Sequence, residues 1–267
     1  MRRSANPEAI AHLTAALELL KTLPDTPDRT QQELSLQISL GAPLMASKGF
    51  AAPEVERAYT RARELCEQLG ETPQLFPVLY ALSLLHYVRA EYKTARELGE
   101  QYLAVAQSIQ DSASLVSAHY MLLCILFDLG ELVPAREHAE QGLVFYDPQQ
   151  HHSLAFLTGY DPGMGCLSVT AWTLWLLGYP DQAIKRSYEA LALAQQLSHP
   201  HSLASTLSFA ALLHQYRREG KAIQEQTQIV IALSTEHGFP LWLALGTLLQ
   251  GWALADQGQI EEGILVD

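Results

Sequence analysis

Apolar residues return every three or four positions along almost the whole chain, and no stretch alternates in the period-two manner of a surface strand. The first such run is 6–23, with Ile10, Leu13, Leu17 and Leu20 on one face and Asn6-Pro7-Glu8 as its start. Asn suits the cap position, Pro the first helical position and an acid the first turn. Pro24-Asp25-Thr26-Pro27 ends that run. Further helices are expected over 28–44, 53–69, 72–90, 92–109, 111–130 and 132–146. The stretch 163–200 reads as two helices broken at Gly178-Tyr179-Pro180-Asp181, and 202–218, 221–237 and 240–257 follow. A last segment, 259–267, begins a helix of about two turns.

Short turns between helices make neighbours antiparallel hairpins, and regular hairpins call for a repeat. A small residue stands early in each second helix: Ala9, Ala58, Ala95, Ala135, Ala183, Ala222 and Gly263. The intervals are 49, 37, 40, 48, 39 and 41 residues. A small side chain there lets the two helices of a hairpin approach closely. The interval of 48 carries about eight extra residues within 148–163, expected as a loop or short helix between repeats. The predicted architecture is all-α: a solenoid of about six antiparallel helix pairs forming one domain over 1–267. Residues 260–266 are apolar and end in mid-hairpin, whereas solenoids need polar terminal repeats. A piece of a longer protein, able to self-associate through that uncapped end, is therefore expected.

Charge narrows the partners. Seventeen Lys and Arg against 29 Asp and Glu give a net charge of −12, which argues against nucleic acid. The apolar runs are interrupted short of the ~18 residues a membrane span needs, and no apolar run follows the charged start at Met1-Arg2-Arg3 as in a signal peptide. A cytoplasmic protein is expected. Cys66, Cys124 and Cys166 lie far apart inside helical patterns and read as small buried thiols.

Residues Leu84, Tyr87, Ala90, Tyr92 and Ala95, and again Leu174, Gly178, Ala183, Ala190 and Leu191, resemble the tetratricopeptide repeat family. The family period is shorter than the one here, and each repeat is degenerate. The strings at 51–71, 171–184 and 237–246 are similar to the helical-repeat region of large bacterial signalling proteins. There it follows an ATPase module, often with a class III nucleotidyl cyclase or a kinase domain. The resemblance implies a right-handed superhelix whose first helices line a concave groove. It also implies groove positions 8, 11 and 15 residues before each small anchor, on one helical face. These are Tyr87, Leu84 and Tyr80; Phe127, Cys124 and Tyr120; Trp175, Trp172 and Ser168; His214, Ala211 and Leu207; and Ala255, Trp252 and Leu248. Six of the nine positions in the central three repeats are aromatic, in a chain that is 8% aromatic. Two readings stand: packing between helices, or a trough for a peptide, a partner protein or another domain of the same polypeptide. If the rings face a groove, Leu82, Leu126, Leu174 and Leu213 are the buried phase.

No catalytic constellation accompanies the repeats. There is no phosphate loop, since Gly220-Lys221 is followed by Ala222, and no H-E-x-x-H among the ten His. His151-His152 and the His199/His201 pair read as solvated turn residues, and His86, His119 and His214 as ring-satisfied helix residues. No metal and no cofactor is implied. The expected function is a protein-binding sensor or scaffold arm of a signalling ATPase or nucleotidyl cyclase. The alternative is a small-molecule sensor with a pocket near Trp172, Trp175 and 148–163.

Overall fold

The computed structural model describes residues 5–70, 73–151 and 161–264. Among them there are helices and no strand. The helices are α1 (Ala5–Leu20), α2 (Pro27–Lys48), α3 (Pro53–Leu69), α4 (Leu75–Val88), α5 (Tyr92–Ile109), α6 (Ser112–Asp128) and α7 (Leu132–Phe145). They continue as α8 (Pro162–Leu176), α9 (Pro180–Leu197), α10 (Pro200–Tyr216), α11 (Gly220–His237), α12 (Pro240–Asp256) and α13 (Ile260–Ile264). The chain divides into two compact units, Met1–Asp111 and Ser112–Asp267. In the first, α1 packs on α2, and α2/α3 and α4/α5 are hairpins. In the second, α6/α7, α8/α9, α10/α11 and α12/α13 are hairpins, and α6, α8, α10 and α12 touch in succession. Residues 152–160, the middle of the expected insertion, lie outside the described residues.

One difference from the sequence pattern is in α2, which runs through Pro43 to Lys48 instead of ending near 44. Pro43 lacks the N–H of an interior helical residue, yet Leu40, Gly41 and Leu44 are buried around it. The helix is held by that packing. Gly41 has no Cβ to occupy the space the Tyr59 ring takes; a Cβ there would lie 2.3 Å from the ring.

A single turn design joins the helices of the hairpins α4/α5, α6/α7, α8/α9, α10/α11 and α12/α13. Ala90, Gly130, Gly178, Arg218 and Gly258 have φ of 59°, 77°, 85°, 54° and 88°. The residue after each donates its N–H to the carbonyl five positions back, as in Glu91 to His86, Tyr179 to Leu174 and Glu219 to His214, at 2.9, 2.8 and 3.0 Å. That is the closing bond of a Schellman cap. Four residues later the second helix begins its ladder: Ala95, Ala135, Ala183, Ile223 and Gly263 donate to Glu91, Glu131, Tyr179, Glu219 and Gln259 at 3.1 Å or less. The structural anchor in the α10/α11 hairpin is therefore Ile223, fully buried, and not Ala222, which is half-exposed. With that correction the intervals from Ala95 onward are 40, 48, 40 and 40.

Ala95, Ala183, Ile223 and Gly263 each meet the first-helix residue twelve positions before them. Ser83 donates its hydroxyl to the Ala95 carbonyl at 2.9 Å. Ala171 and Ala183 share a core with Leu174 and Leu213. A Cβ on Gly263 would stand 2.5 Å from the Gly251 carbonyl oxygen. The pair explains how Ile223 is tolerated: Ala211 across the hairpin is small, and both pack with Leu249 and Ala253. Close-packed interiors fix the summed volume of such a pair more tightly than either member.

Arg218 pays for a left-handed backbone that costs an L-residue about 1–2 kcal/mol, whereas Gly130, Gly178 and Gly258 hold the same position freely. Arg218→Gly should raise stability by about 1 kcal/mol and Gly178→Ala should lower it by a similar amount. Denaturant midpoints check both, and a destabilised Arg218→Gly protein would show that this turn is not formed.

Candidate functional site

The face presented by the first helices is the candidate site, and it is unevenly built. In the first unit, Tyr80, Leu84 and Tyr87 lie half-buried on α4. The Tyr80 ring stands 5.7 Å from that of buried Tyr102 on α5, and the Tyr87 ring 6.0 Å from that of Tyr92. These tyrosines face their own hairpin as well as solvent.

In the second unit the rings pack one helix against the next. Phe127 of α6 lies 6.0 Å from Trp172 of α8, which meets Phe209 of α10 edge-on at 4.9 Å. Phe209 meets Trp242 of α12 at 5.6 Å, and Trp242 meets His201 at 5.8 Å. The Trp172 indole N–H donates to the Phe209 carbonyl at 2.9 Å, and the Trp242 indole N–H to His201 Nε2 at 2.9 Å. Edge-to-face rings with satisfied polar edges are strong packing elements. Tyr120 lies against the backbone of Gly165, where a Cβ would come within 2.4 Å of its ring. Trp175 lies half-buried over the Ala171, Leu174, Ala183 and Leu213 core, and Trp252 over the Ala211, Ile223, Leu249 and Ala253 core. Leu82, Leu126, Leu174 and Leu213 are buried at 4% exposure or less.

His214 does not share the phase of the others. Once Ile223 replaces Ala222 as anchor, the residues 8, 11 and 15 before it are Gln215, Leu212 and Ser208. His214 aligns instead with His86, and both fold back across the turn: His86 Nδ1 lies 2.5 Å from Glu91 and His214 Nδ1 2.6 Å from Glu219. The signal that places it was in the chain, in the identical spacing of His86-Glu91 and His214-Glu219. Phe209 and Trp242 were not singled out by sequence, because they stand off the stripe and matter only through the neighbouring helix.

The loop histidines also differ from expectation. His151 is buried; its Nδ1 accepts the Asp147 N–H at 3.1 Å, and Nε2 lies 3.0 Å from the Ser112 hydroxyl. His199 caps α10 by accepting the Ser202 N–H. His152 lies outside the described residues. Asp161 caps α8 from a fully buried position, its Oδ1 accepting the Met164 N–H at 2.9 Å and its Oδ2 the Tyr146 hydroxyl at 3.0 Å. Burial raises the pKa of both Asp161 and Tyr146. All three cysteines are free and buried, and burial pushes the Cys124 thiol up to about 12. These thiols are poor nucleophiles and poor ligands.

A separate cleft of about 380 Å³ lies in the first unit between α1, α2 and α3. Leu17, Leu40 and Leu44 form part of its wall, with Arg29, Lys48 and Arg57 among its polar lining. Among the described residues no group of His, Cys, Asp and Glu could hold a metal ion, and no helix is long and apolar enough to cross a membrane.

No family model and no curated protein sequence matches the chain. Solved structures do. A Rap protein complexed with Competence and Sporulation Factor superposes with a TM-score of 0.70 at 9% identity, covering 99% of this chain and 74% of that one. A Signal Transduction ATPase with Numerous Domains (STAND) with a tetratricopeptide repeat sensor, from Pyrococcus horikoshii, gives 0.60 at 12%, covering 95% and 38%. A Podospora anserina kinesin light chain with nearly identical TPR-like repeats gives 0.54 at 17%, covering 80% and 99%. The fold is TPR-like. In the TPR-like frame the aromatic stripe lies on the first helix of each pair, where Trp172 meets rings on both neighbouring first helices and Trp175 and Trp252 cover cores shared with an adjacent hairpin.

Two outcomes follow from this geometry. Trp172→Ala should cost about 2–4 kcal/mol of stability, since it empties a contact between α6, α8 and α10, while Trp172→Phe should lose about 1 kcal/mol with its hydrogen bond; chemical denaturation measures both. His119, buried on α6 with its Nδ1 3.0 Å from His138 Nδ1, has its pKa lowered to about 4 by burial and by that neighbour. The unfolded chain takes up this proton near pH 6.5, so the stabilisation is whole above that pH and drains away as pH falls towards 4. Urea midpoints should drop over that window, and His119→Gln should flatten the drop.

Proposed function

We propose that the chain is a protein-binding module: the sensor or scaffold arm of a multidomain signalling ATPase or nucleotidyl cyclase, with the two units acting as one repeat array over 1–267. The partner is a peptide, another protein or a sister domain of the same polypeptide, held on the face of the first helices. The observation that carries this reading is the unbroken succession of α6, α8, α10 and α12, each contributing half-buried aromatic or leucine side chains to one face. Large rings with few rotatable bonds supply contact area at low entropic cost. The likeness to the STAND protein with a tetratricopeptide repeat sensor supports the signalling part, and the similar Rap protein is complexed with Competence and Sporulation Factor. Binding would act by favouring one state of a fused switch domain, in proportion to its preference for that state.

The test uses Trp175 and Trp252, half-buried rings at the edge of cores that neighbouring first helices share, with thermal unfolding checking that each variant keeps its fold before binding is read. Peptides selected from a displayed library on the whole chain should bind Trp175→Ala or Trp252→Ala about 2 kcal/mol more weakly, as hot-spot truncations do. Unchanged affinity in both variants would place binding elsewhere. In the intact parent polypeptide, a saturating peptide should change nucleotide turnover; constant turnover would remove the signalling role.

A further inference from the structure

The charges of the second unit are sorted by helix. Neither α8 nor α10 contains a single Asp, Glu, Lys or Arg, and α6 and α12 contain one each, Asp128 and Asp256, at their last residues. The second helices carry many of the others, among them Arg136, Glu137 and Glu140 on α7, Lys185, Arg186 and Glu189 on α9, and Lys221 and Glu225 on α11. In the turns, Arg217 is paired with Glu219 at 2.7 Å. The half-buried side chains on the first-helix face are Phe127, Trp172, Trp175, Phe209, Leu212 and Trp252. Gln215 is the polar residue among them at a stripe position.

We infer that this face takes an uncharged, apolar segment of a partner protein, one presenting leucine or aromatic side chains and no ionised group at the contact. The inference rests on the binding role proposed above and adds the partner's chemistry to it. A charged side chain buried against α8 and α10 would be stripped of water with no opposite charge on either helix, which costs far more than apolar contacts return. The net charge of −12 invites the opposite guess, a basic partner. In the second unit the described acids other than Asp128, Asp256 and the buried Asp161 sit on second helices and turns, where solvent and salt screen them. Recognition on the face itself then depends on shape and apolar area and is nearly indifferent to salt.

The experiment selects a random twelve-residue peptide library on the whole chain, sequences the bound pool and measures chosen peptides at 20 and about 500 mM salt. Expected are binders depleted in Asp, Glu, Lys and Arg relative to the library, with affinity changing less than about twofold over the salt range. Gln215 is partly exposed, so its variants should fold. Gln215→Lys and Gln215→Glu should both weaken these peptides about fivefold or more, because either sign of charge meets the same desolvation. A gain in affinity with one sign would overturn the inference. Binders that depend on Trp175 but carry charge, with affinity falling tenfold at high salt, would overturn it while leaving the binding face intact. Lys- and Arg-rich binders indifferent to Trp175→Ala and Trp252→Ala, or no binders above background, would remove both the inference and the face.

Discussion

Everything in this fold depends on how closely two helices of a hairpin can approach at one point near their shared turn. There the second helix sets a small or compensated residue against the backbone or a small side chain of the first, at Ser83/Ala95, Ala171/Ala183, Ala211/Ile223 and Gly251/Gly263. The left-handed residue just before it aims the chain into that contact, and the Schellman bond holds the aim. A helix hairpin alone cannot bury its apolar faces, so within each unit one pair leans on the next. The fixed geometry of the turn is what keeps the repeated faces in register.

Aromatic residues do a second job on top of this. Phe127, Trp172, Phe209 and Trp242 form a line of ring contacts across α6, α8, α10 and α12, with both indole N–H groups satisfied inside the line. Packing and binding were opposed readings of these rings; packing accounts for Trp172, and binding is proposed for Trp175 and Trp252. Trp172 is fixed between helices on two sides. Trp175 and Trp252 lie over cores shared with an adjacent hairpin and are half-buried. Interface hot spots sit on such rigid, partly desolvated platforms.

Polarity is arranged around the same axis. First helices are nearly free of charge because neighbours press on them from several sides; α8 is buried at every position from Pro162 to Ala171. Their hydroxyls turn back to their own backbone, as Thr173 does to Val169 and Ser208 to Ala204, each at 2.8 Å. Second helices meet water on one side and carry ion pairs such as Arg186 with Glu189 at 2.7 Å. Those exposed pairs contribute little stability, and they keep the water-facing side of each second helix hydrated.

Periodicity and turn chemistry determined the fold class and most helix positions, because spacing of three and four and the Gly and Pro breaks are local properties that survive repeat degeneracy. They also determined which leucines are buried: Leu82, Leu126, Leu174 and Leu213 follow from phase alone. The register of the α10/α11 hairpin was decided by tertiary packing. Ala222 and Ile223 are adjacent, and choosing the wrong one turns the helix by ~100°, which is why His214 left the stripe and Gln215, Leu212 and Ser208 entered it. Only the small Ala211 across the hairpin makes the larger Ile223 the inward residue. The extension of α2 through Pro43, the burial of His151 and the roles of Phe209 and Trp242 were likewise tertiary decisions. Each depends on a neighbour tens of residues away, and local sequence holds no record of what a distant helix will press against.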